Sequence, residues 1–537
     1  MEPIAFNLLQ EPWIRVLKPD CTVEEVSLKD ALLRAHDYRD LAGELATQDV
    51  AVLRLLLAVV HTVFYRVDEE GKEDPLKDPK EALARWKALW EMGKLPEQPI
   101  SDYLEKWQDR FWLFHPERPF YQVPEAAIGT AYTAAKLNGE ISQSGNKLRL
   151  FSTYAKEEKT AMSYAQAARW LLYVNGFDDT SAKKKNKEHP LPAIGVGWLG
   201  KLGLLVAQGN TLAETLLLNL VLVRDDNSLW NAPQPCWELD EPRRGERTEI
   251  PQPDDAAALL TLQSRRLLLQ RDEDLVKGCT VLGGDFFEKK NAFCEPMTLW
   301  RKGQENKNAP VFYQPRLYDP TKQFWREFPA AFPQGGDGYT PGIVQWLTKL
   351  QRARCLERQR VIHFKSVGVV YGDQNSAAID AFSDTLTFHS SLLDEMGGAC
   401  RARVISEIQN CEKMAEQVSK LARDLAKAAC ASGDSEVRAA KEQFYFELDQ
   451  PFRQWLYQLD PEDNDIDAAV KAWREQVKTI AFRLGRTMVE AAGSAALVGR
   501  RIKNKDGTQG RYYSAPKAYH WFMYGVNQVY QKEGDQL

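Results

Sequence analysis

Two amphipathic stripes in the last third of the chain constrain its fold more than any other feature. Val404, Ile408, Cys411, Met414, Ala415, Val418, Leu421 and Leu425 fall on one helical face. Ile466, Val470, Trp473, Val477, Ile480 and Leu484 fall on another, with polar residues between them. Apolar side chains three and four apart share one side of a helix, and that side needs burial. Ser432-Gly433-Asp434 and Pro461-Glu462-Asp463-Asn464 interrupt the pattern. The segments around these breaks are long enough for about four helices. Residues 377–537 are therefore predicted to form an antiparallel four-helix bundle, with the stripes as its core.

Residues 1–376 read differently. Short apolar runs such as Phe6–Leu9 and Trp13–Val16 alternate with loops containing Pro and Gly, and Asp49–Tyr65 has helical apolar spacing. Loops recur at Asn231–Pro235, Glu241–Pro253 and Pro333–Pro341. The predicted fold class is α+β: a large, irregular mixed α/β N-terminal domain over 1–376, followed by the bundle. A chain of 537 residues exceeds one ordinary core, so division into domains is expected. An apolar fraction of 44% excludes extensive disorder.

The chemistry of catalysis is hard to find. Seven histidines are scattered, with no pair at metal-ligating spacing. His36-Asp37 stands alone. The eight cysteines form no C-x-x-C pair and read as thiols in a reducing compartment. Neither a G-x-S-x-G elbow nor a Walker A loop occurs. No catalytic residue, metal or cofactor is predicted. Met1–Asn7 lacks the pattern of a signal peptide. The longest apolar run, Leu53–Phe64, contains Arg54 and His61 and is too short for a bilayer. A cytoplasmic protein without a membrane partner is expected.

Gly195-Val196-Gly197-Trp198-Leu199-Gly200 spells G-x-G-x-x-G. Three readings stand: a dinucleotide loop, which needs a strand before it and a helix after it; a tight turn that only glycine permits; or slim backbone approaching nucleic acid, with Lys183, Lys184 and Lys185 neutralising phosphate upstream. The lysine run also reads as a solvated loop.

A net charge of −5 counts against a free nucleic-acid binder, which is usually basic. Binding then requires clustered cations or partner subunits. Candidate phosphate contacts are Arg243, Arg244, Arg247, Arg265, Arg266, Arg352, Arg354, Arg358 and Arg360. Arg500, Arg501 and Lys503 precede Gly507 and Arg511-Tyr512-Tyr513. Charge interleaved with rings suits a grip on single-stranded DNA; a solvated interhelix loop is the alternative.

Four segments carry a family resemblance. Phe6-Asn-Leu-Leu-Gln-Glu-Pro-Trp13-Ile-Arg-Val16 resembles the N-terminal signature of CasA, the large-subunit family of type I-E CRISPR surveillance complexes (Cascade). Phe111-Trp-Leu-Phe-His-Pro-Glu-Arg-Pro-Phe-Tyr-Gln122, Gly284-Asp-Phe-Phe-Glu288 and Glu442-Gln-Phe-Tyr445 resemble further family segments, in the same order. The resemblance implies a non-catalytic subunit beside the crRNA 5′ handle. Such a subunit recognises a protospacer-adjacent motif (PAM) in double-stranded DNA, helps unwind it for R-loop formation, holds the displaced strand and helps recruit the helicase–nuclease. Its implied partners are crRNA, the other Cascade subunits, target DNA and that nuclease.

The resemblance also implies site residues. Ala193, Ile194, Gly195, Val196 and Gly197 match the family's PAM loop. Gln374 and Asn375 match a wedge inserted beneath the PAM. Phe151, Ser152 and Thr153 match a loop that meets the crRNA handle and backbone subunits. Lys277 is the first choice for a lysine in the PAM groove, with Lys289 or Lys290 as alternatives. Lys183–Lys185, Arg500, Arg501 and Lys503 are expected along the displaced strand or on phosphates. Some relatives carry a cysteine-rich zinc knuckle; without C-x-x-C, packing must replace it here. Two other functions remain open: a metal-dependent nuclease, and a scaffold that never touches bases.

Overall fold

The structure is a computed structural model. It describes every residue except 1–2, 139–140, 144–146, 149–155, 181–194, 307, 336–337, 358, 395–396, 462–464, 503–509 and 532–537. The chain divides into two compact units. The first comprises Met1–Lys322, Ala330–Glu357 and Ile362–Thr385; the second comprises Gln323–Pro329, Arg358–Val361 and Leu386–Leu537.

In the first unit, helix α1 (Ala46–Arg66) is apolar on every side. At 21 residues it is longer than the run seen in the sequence, and long enough to cross a membrane. Here 94% of its apolar window lies inside the protein, so it is a core helix. Its Arg54 is buried, and its guanidinium reaches both oxygens of Glu295, at 2.9 and 3.1 Å. Helix α2 (Tyr164–Phe177) starts with a capping box, in which Ser163 and Gln166 each satisfy the other's backbone N–H.

Six strands position the site: β1 (Thr130–Thr133), β2 (Leu204–Gln208), β3 (Arg265–Asp272), β4 (Leu275–Gly283), β5 (Val361–Tyr371) and β6 (Ala378–His389). One antiparallel sheet has the order β3-β4-β1, with Leu267 opposite Val281 and Cys279 opposite Tyr132. Another has the order β6-β5-β2, with Phe364 opposite Ala207. Strand β6 lies just past residue 377, where the sequence turns helical in character. The first unit reaches Thr385 along it.

Among its described residues the second unit holds four long helices: α3 (Gly397–Ala429), α4 (Asp434–Gln458), α5 (Ile466–Glu490) and α6 (Ala515–Gln531). All eight residues of the first stripe are buried in α3. In the second stripe Val470, Trp473, Val477, Ile480 and Leu484 are buried, while Ile466, in the first turn, is half-buried. Trp473 stacks on Trp455 of α4 at 5.2 Å between ring centroids. Such aromatic pairs add about 0.5–1.5 kcal/mol to their area burial. The α+β class and the C-terminal helical region are as the sequence predicts.

Candidate nucleic-acid interface

Helix α2 ends in Asp178-Asp179-Thr180, and these three residues organise the site. The Asp178 carboxylate accepts from Arg265 Nε at 2.5 Å and from the Tyr132 hydroxyl at 3.1 Å. Arg265 Nη2 also donates to the Asp179 carbonyl at 2.9 Å and to the Gly195 carbonyl at 3.0 Å. Asp179 pairs with Lys136. Arg265 is fully buried, so its charge is neutralised inside the protein.

The reading of Arg265 and Arg266 as phosphate contacts is thereby corrected. Arg266 is buried on Asp285 at 2.5 Å, and Asp285 also takes Arg243 and Arg247. Neither Arg265 nor Arg266 reaches solvent.

The glycine segment owes its composition to packing. Gly195 has φ +71°, in the left-handed region that glycine favours. A Cβ on Gly197 would lie 2.3 Å from the Gly176 carbonyl oxygen at the end of α2. A Cβ on Gly200 would lie 2.1 Å from the Tyr371 hydroxyl. The tight-turn reading therefore holds. The dinucleotide reading fails, because the motif runs into a three-residue turn, Leu199–Lys201, rather than a helix. Trp198 anchors the segment, its indole donating to Glu295 at 2.8 Å. Val196 and Gly197 are buried, and the Gly197 amide is used on the Asp178 carbonyl. Gly195 is half-buried. Ala193 and Ile194 lie outside the described residues, as do Lys183, Lys184 and Lys185.

The turn after β5 meets this segment. Tyr371 donates to the Phe177 carbonyl at 2.6 Å. Beyond it, Asp373, Gln374 and Asn375 are exposed. Gln374 and Asn375 have φ of 54° and 56°. Consecutive left-handed residues other than glycine are strained, at about 1–3 kcal/mol each, and persist only where surrounding structure holds them. Thr180 supplies that hold. Its amide donates to the Asn375 carbonyl at 3.0 Å and its hydroxyl to the Gln374 carbonyl at 2.7 Å. Among the described residues, the side-chain amides of Gln374 and Asn375 have no partner. The structure thus brings together the two segments that the sequence reading paired, through residues 176–180, which that reading overlooked.

Lys277 is exposed on β4, at a bulge opposite Gln270 and Arg271. It lies six residues from Gly283, the partner of Arg265. Strand rise puts that at about 20 Å along the hairpin. Lys201 sits close to Gly195, whose Cβ would meet its Cε at 3.9 Å. The Lys201 ammonium lies 5.0 Å from the Phe286 ring centroid. Burial holds its pKa down to about 8, helped by the positive charges of Lys289 and Arg265. Lys289 is therefore also near the turn, and it is exposed. Lys290 is paired with Glu305 at 2.8 Å. No sequence motif marks Lys201; only its place after Gly200 hinted at it.

The second unit has its own basic surface. Exposed Arg500 and Arg501 pair with Tyr513 and Tyr512. Arg500 is oriented by the Lys427 carbonyl at 2.8 Å and the Cys430 sulfur at 2.7 Å. Arg511 stacks over Trp521 at 3.3 Å, and Lys517 lies over Tyr512 at 4.9 Å. Lys503 lies outside the described residues, as do Phe151, Ser152 and Thr153. Among the described residues no cluster of three or more His, Cys, Asp or Glu could hold a metal.

The first unit is a mixed helix-and-sheet body with an amide-tipped turn clamped to a glycine turn, and the second is a helical body on which Arg500 and Arg501 pair with Tyr513 and Tyr512. The family model for CRISPR-associated protein Cse1 matches residues 7–484, and the chain belongs to that family. CasA/Cse1 from Thermus thermophilus is 33% identical over 342 residues; the match covers 62% of this chain and 61% of that protein's length. The crystal structure of Thermobifida fusca Cse1 is 28% identical, with TM-score 0.82 and 98% of each chain covered. A chain of a CRISPR RNA-guided surveillance complex shares the fold at 18% identity and TM-score 0.70, over 98% of this chain and all of that one.

Proposed function

We propose that this chain is the non-catalytic large subunit of a CRISPR RNA-guided surveillance complex (Cascade), acting in the cytoplasm. It recognises the PAM in double-stranded DNA, helps unwind the duplex for R-loop formation, holds the displaced strand and helps recruit the helicase–nuclease. Its partners are crRNA, the other subunits, target DNA and that nuclease.

One observation carries the reading: the Gln374–Asn375 tip is exposed, strained and held by Thr180 through its own carbonyls, so both side-chain amides are available. A wedge must offset lost stacking, a few kcal/mol per base step. Amides do so by offering donors and acceptors to the freed bases. The Gly195 turn beside it is slim enough for a minor groove only about 6 Å wide. Lys277 is the lysine for the groove phosphates, and Lys201 and Lys289 add charge by the Gly195 turn. The first unit thus reads the PAM, residues 151–153 meet the crRNA handle, and Arg500 and Arg501 hold the displaced strand with the lysines of 183–185 and Lys503.

The test is a reconstituted complex challenged with a randomised PAM library, scoring binding and duplex opening. Gln374→Ala/Asn375→Ala is expected to lose opening while the complex still assembles. Unchanged opening would leave a scaffold. Cleavage of labelled DNA by the purified chain that a chelator abolishes would make it a nuclease instead.

A further inference from the structure

The Phe111–Gln122 segment builds a second site. It forms one side of a recess that shares no lining residue with the glycine turn or its clamp. Arg110, Arg118 and Arg243 line this recess, together with Phe120, Tyr121 and Trp237. The local chain is held tightly. His115 Nδ1 accepts from the amides of Glu117 and Arg118, which sets the bend through Pro116 and Pro119. The buried Gln122 amide donates to the Leu113 carbonyl at 2.7 Å and accepts from Leu269 N at 2.8 Å. Between Phe120 and Gln122, Tyr121 is buried with φ 56°, a strained conformation for a bulky residue. Strain of this kind collects where a surface is shaped for a ligand.

The charges around the recess do not balance. Arg243, Arg247 and Arg266 share a single carboxylate, Asp285. Among the described residues, the guanidiniums of Arg110 and Arg118 have no ion-pair or side-chain hydrogen-bond partner. Asp240 and Asp109 are the acids that act on Arg110 from a distance. Its pKa is lowered by burial and then by the charge of Arg118. All three arginines lining the recess are half-buried, where like charges repel more strongly than in water. An oxyanion between them relieves that repulsion, and guanidinium forks match its geometry. The recess, open on one side, offers about 50 Å³, where one water needs about 10–15 Å³. That is room for one tetrahedral oxyanion.

We propose that this recess binds a single phosphate group, supplied either as free orthophosphate or as one phosphodiester of a nucleic-acid strand. Arg118 and Arg110 grip its oxygens, and Arg243 adds charge from the Asp285 cluster. The proposal does not depend on the PAM reading, because it concerns the isolated chain without duplex.

The experiment titrates the full-length chain with orthophosphate and, separately, with pentathymidylate, by calorimetry and by Trp237-sensitive fluorescence. Arg118→Gln and Arg110→Gln/Arg118→Gln are compared with Arg34→Gln, an exposed arginine that does not line the recess. Orthophosphate affinity is expected to fall about tenfold or more in Arg118→Gln, the scale of one charge-assisted bond, and to stay unchanged in Arg34→Gln. Parallel loss of pentathymidylate assigns the site to a nucleic-acid backbone; loss of orthophosphate alone assigns it to the free anion. The absence of saturable binding of either probe to the wild type overturns the proposal, and so does equal loss in Arg34→Gln. Thermal melts accompany each variant. If the double variant melts early, Arg118→Gln decides alone, since it lies in a half-buried loop.

Discussion

The Thr180 hydroxyl donates to the Gln374 carbonyl at 2.7 Å across 194 positions of chain. With the Thr180 amide on Asn375, it fixes a left-handed turn to the end of helix α2. The same short stretch, Phe177–Thr180, binds Tyr371, Arg265 and Gly197. Geometry at the exposed tip is therefore set by one helix terminus, through the amide and the hydroxyl of Thr180.

Thr180→Val keeps the amide bond and removes the hydroxyl bond. One such bond is worth about 0.5–1.5 kcal/mol. Duplex opening by the assembled complex, followed with a fluorescent base next to the PAM, should slow several-fold, by about 2–12-fold. Thr180→Ser should restore it. Equal rates in Val and Ser would show that the clamp does not position the tip.

Gly200→Ala drives a methyl into the Tyr371 hydroxyl. Overpacking of this kind costs about 1–3 kcal/mol. Tyr371→Phe alone loses the bond to Phe177, at about 1 kcal/mol. The double variant should be less destabilised than the two added together, because one change makes room for the other. Urea unfolding of the four proteins measures the coupling. Strict additivity would mean that the two residues do not touch.

Lys201 gives a pH signature. Its pKa of about 8 in the fold lies below the ordinary lysine value of about 10.5, through burial first and then Lys289 and Arg265; Glu288 opposes them. Below about pH 8 the ammonium is charged in both states, and its burial penalty is fully present. Between about pH 8 and 10.5 the unfolded chain binds more protons, so this contribution to stability rises with pH. A phosphate beside Gly195 favours the charged form, so target affinity should fall from about pH 7 to 9 at fixed ionic strength. Lys201→Arg should flatten that fall in filter-binding titrations. The same slope in both proteins would clear Lys201 of the effect.

Charge reversal at Arg500 and Arg501 should weaken target binding equally for every sequence. The slope of log K against log salt should shrink by about 0.7 per lost single-strand contact. PAM preference should not change. A loss confined to some PAMs would move these arginines from backbone to base contact.

How much of this was legible in one dimension follows the range of the interactions. The α3 and α5 stripes were readable from Val404 to Leu425 and from Val470 to Leu484, because helical periodicity is local and burial of one face decides it. Strand β6 was not, because its pairing with β5 lies outside any helical window. The glycines at 195, 197 and 200 announced a turn. Why they must be glycine depended on Gly176 and Tyr371, which only the fold brings up against them. Arg265 and Arg266 looked like phosphate ligands because a basic pair carries no mark of burial. Asp178 and Asp285, 87 and 19 positions away, made them structural. Thr180 and Lys201 belong to no motif, and their roles arise wholly from what packs beside them. The sequence by itself determined the two helical stripes, the turn at the glycines and the family. Tertiary structure decided which charges stay buried, which amides stay free and which turns meet. Those outcomes depend on partners distant in the chain, and proximity in space sets both hydrogen-bond satisfaction and the local dielectric.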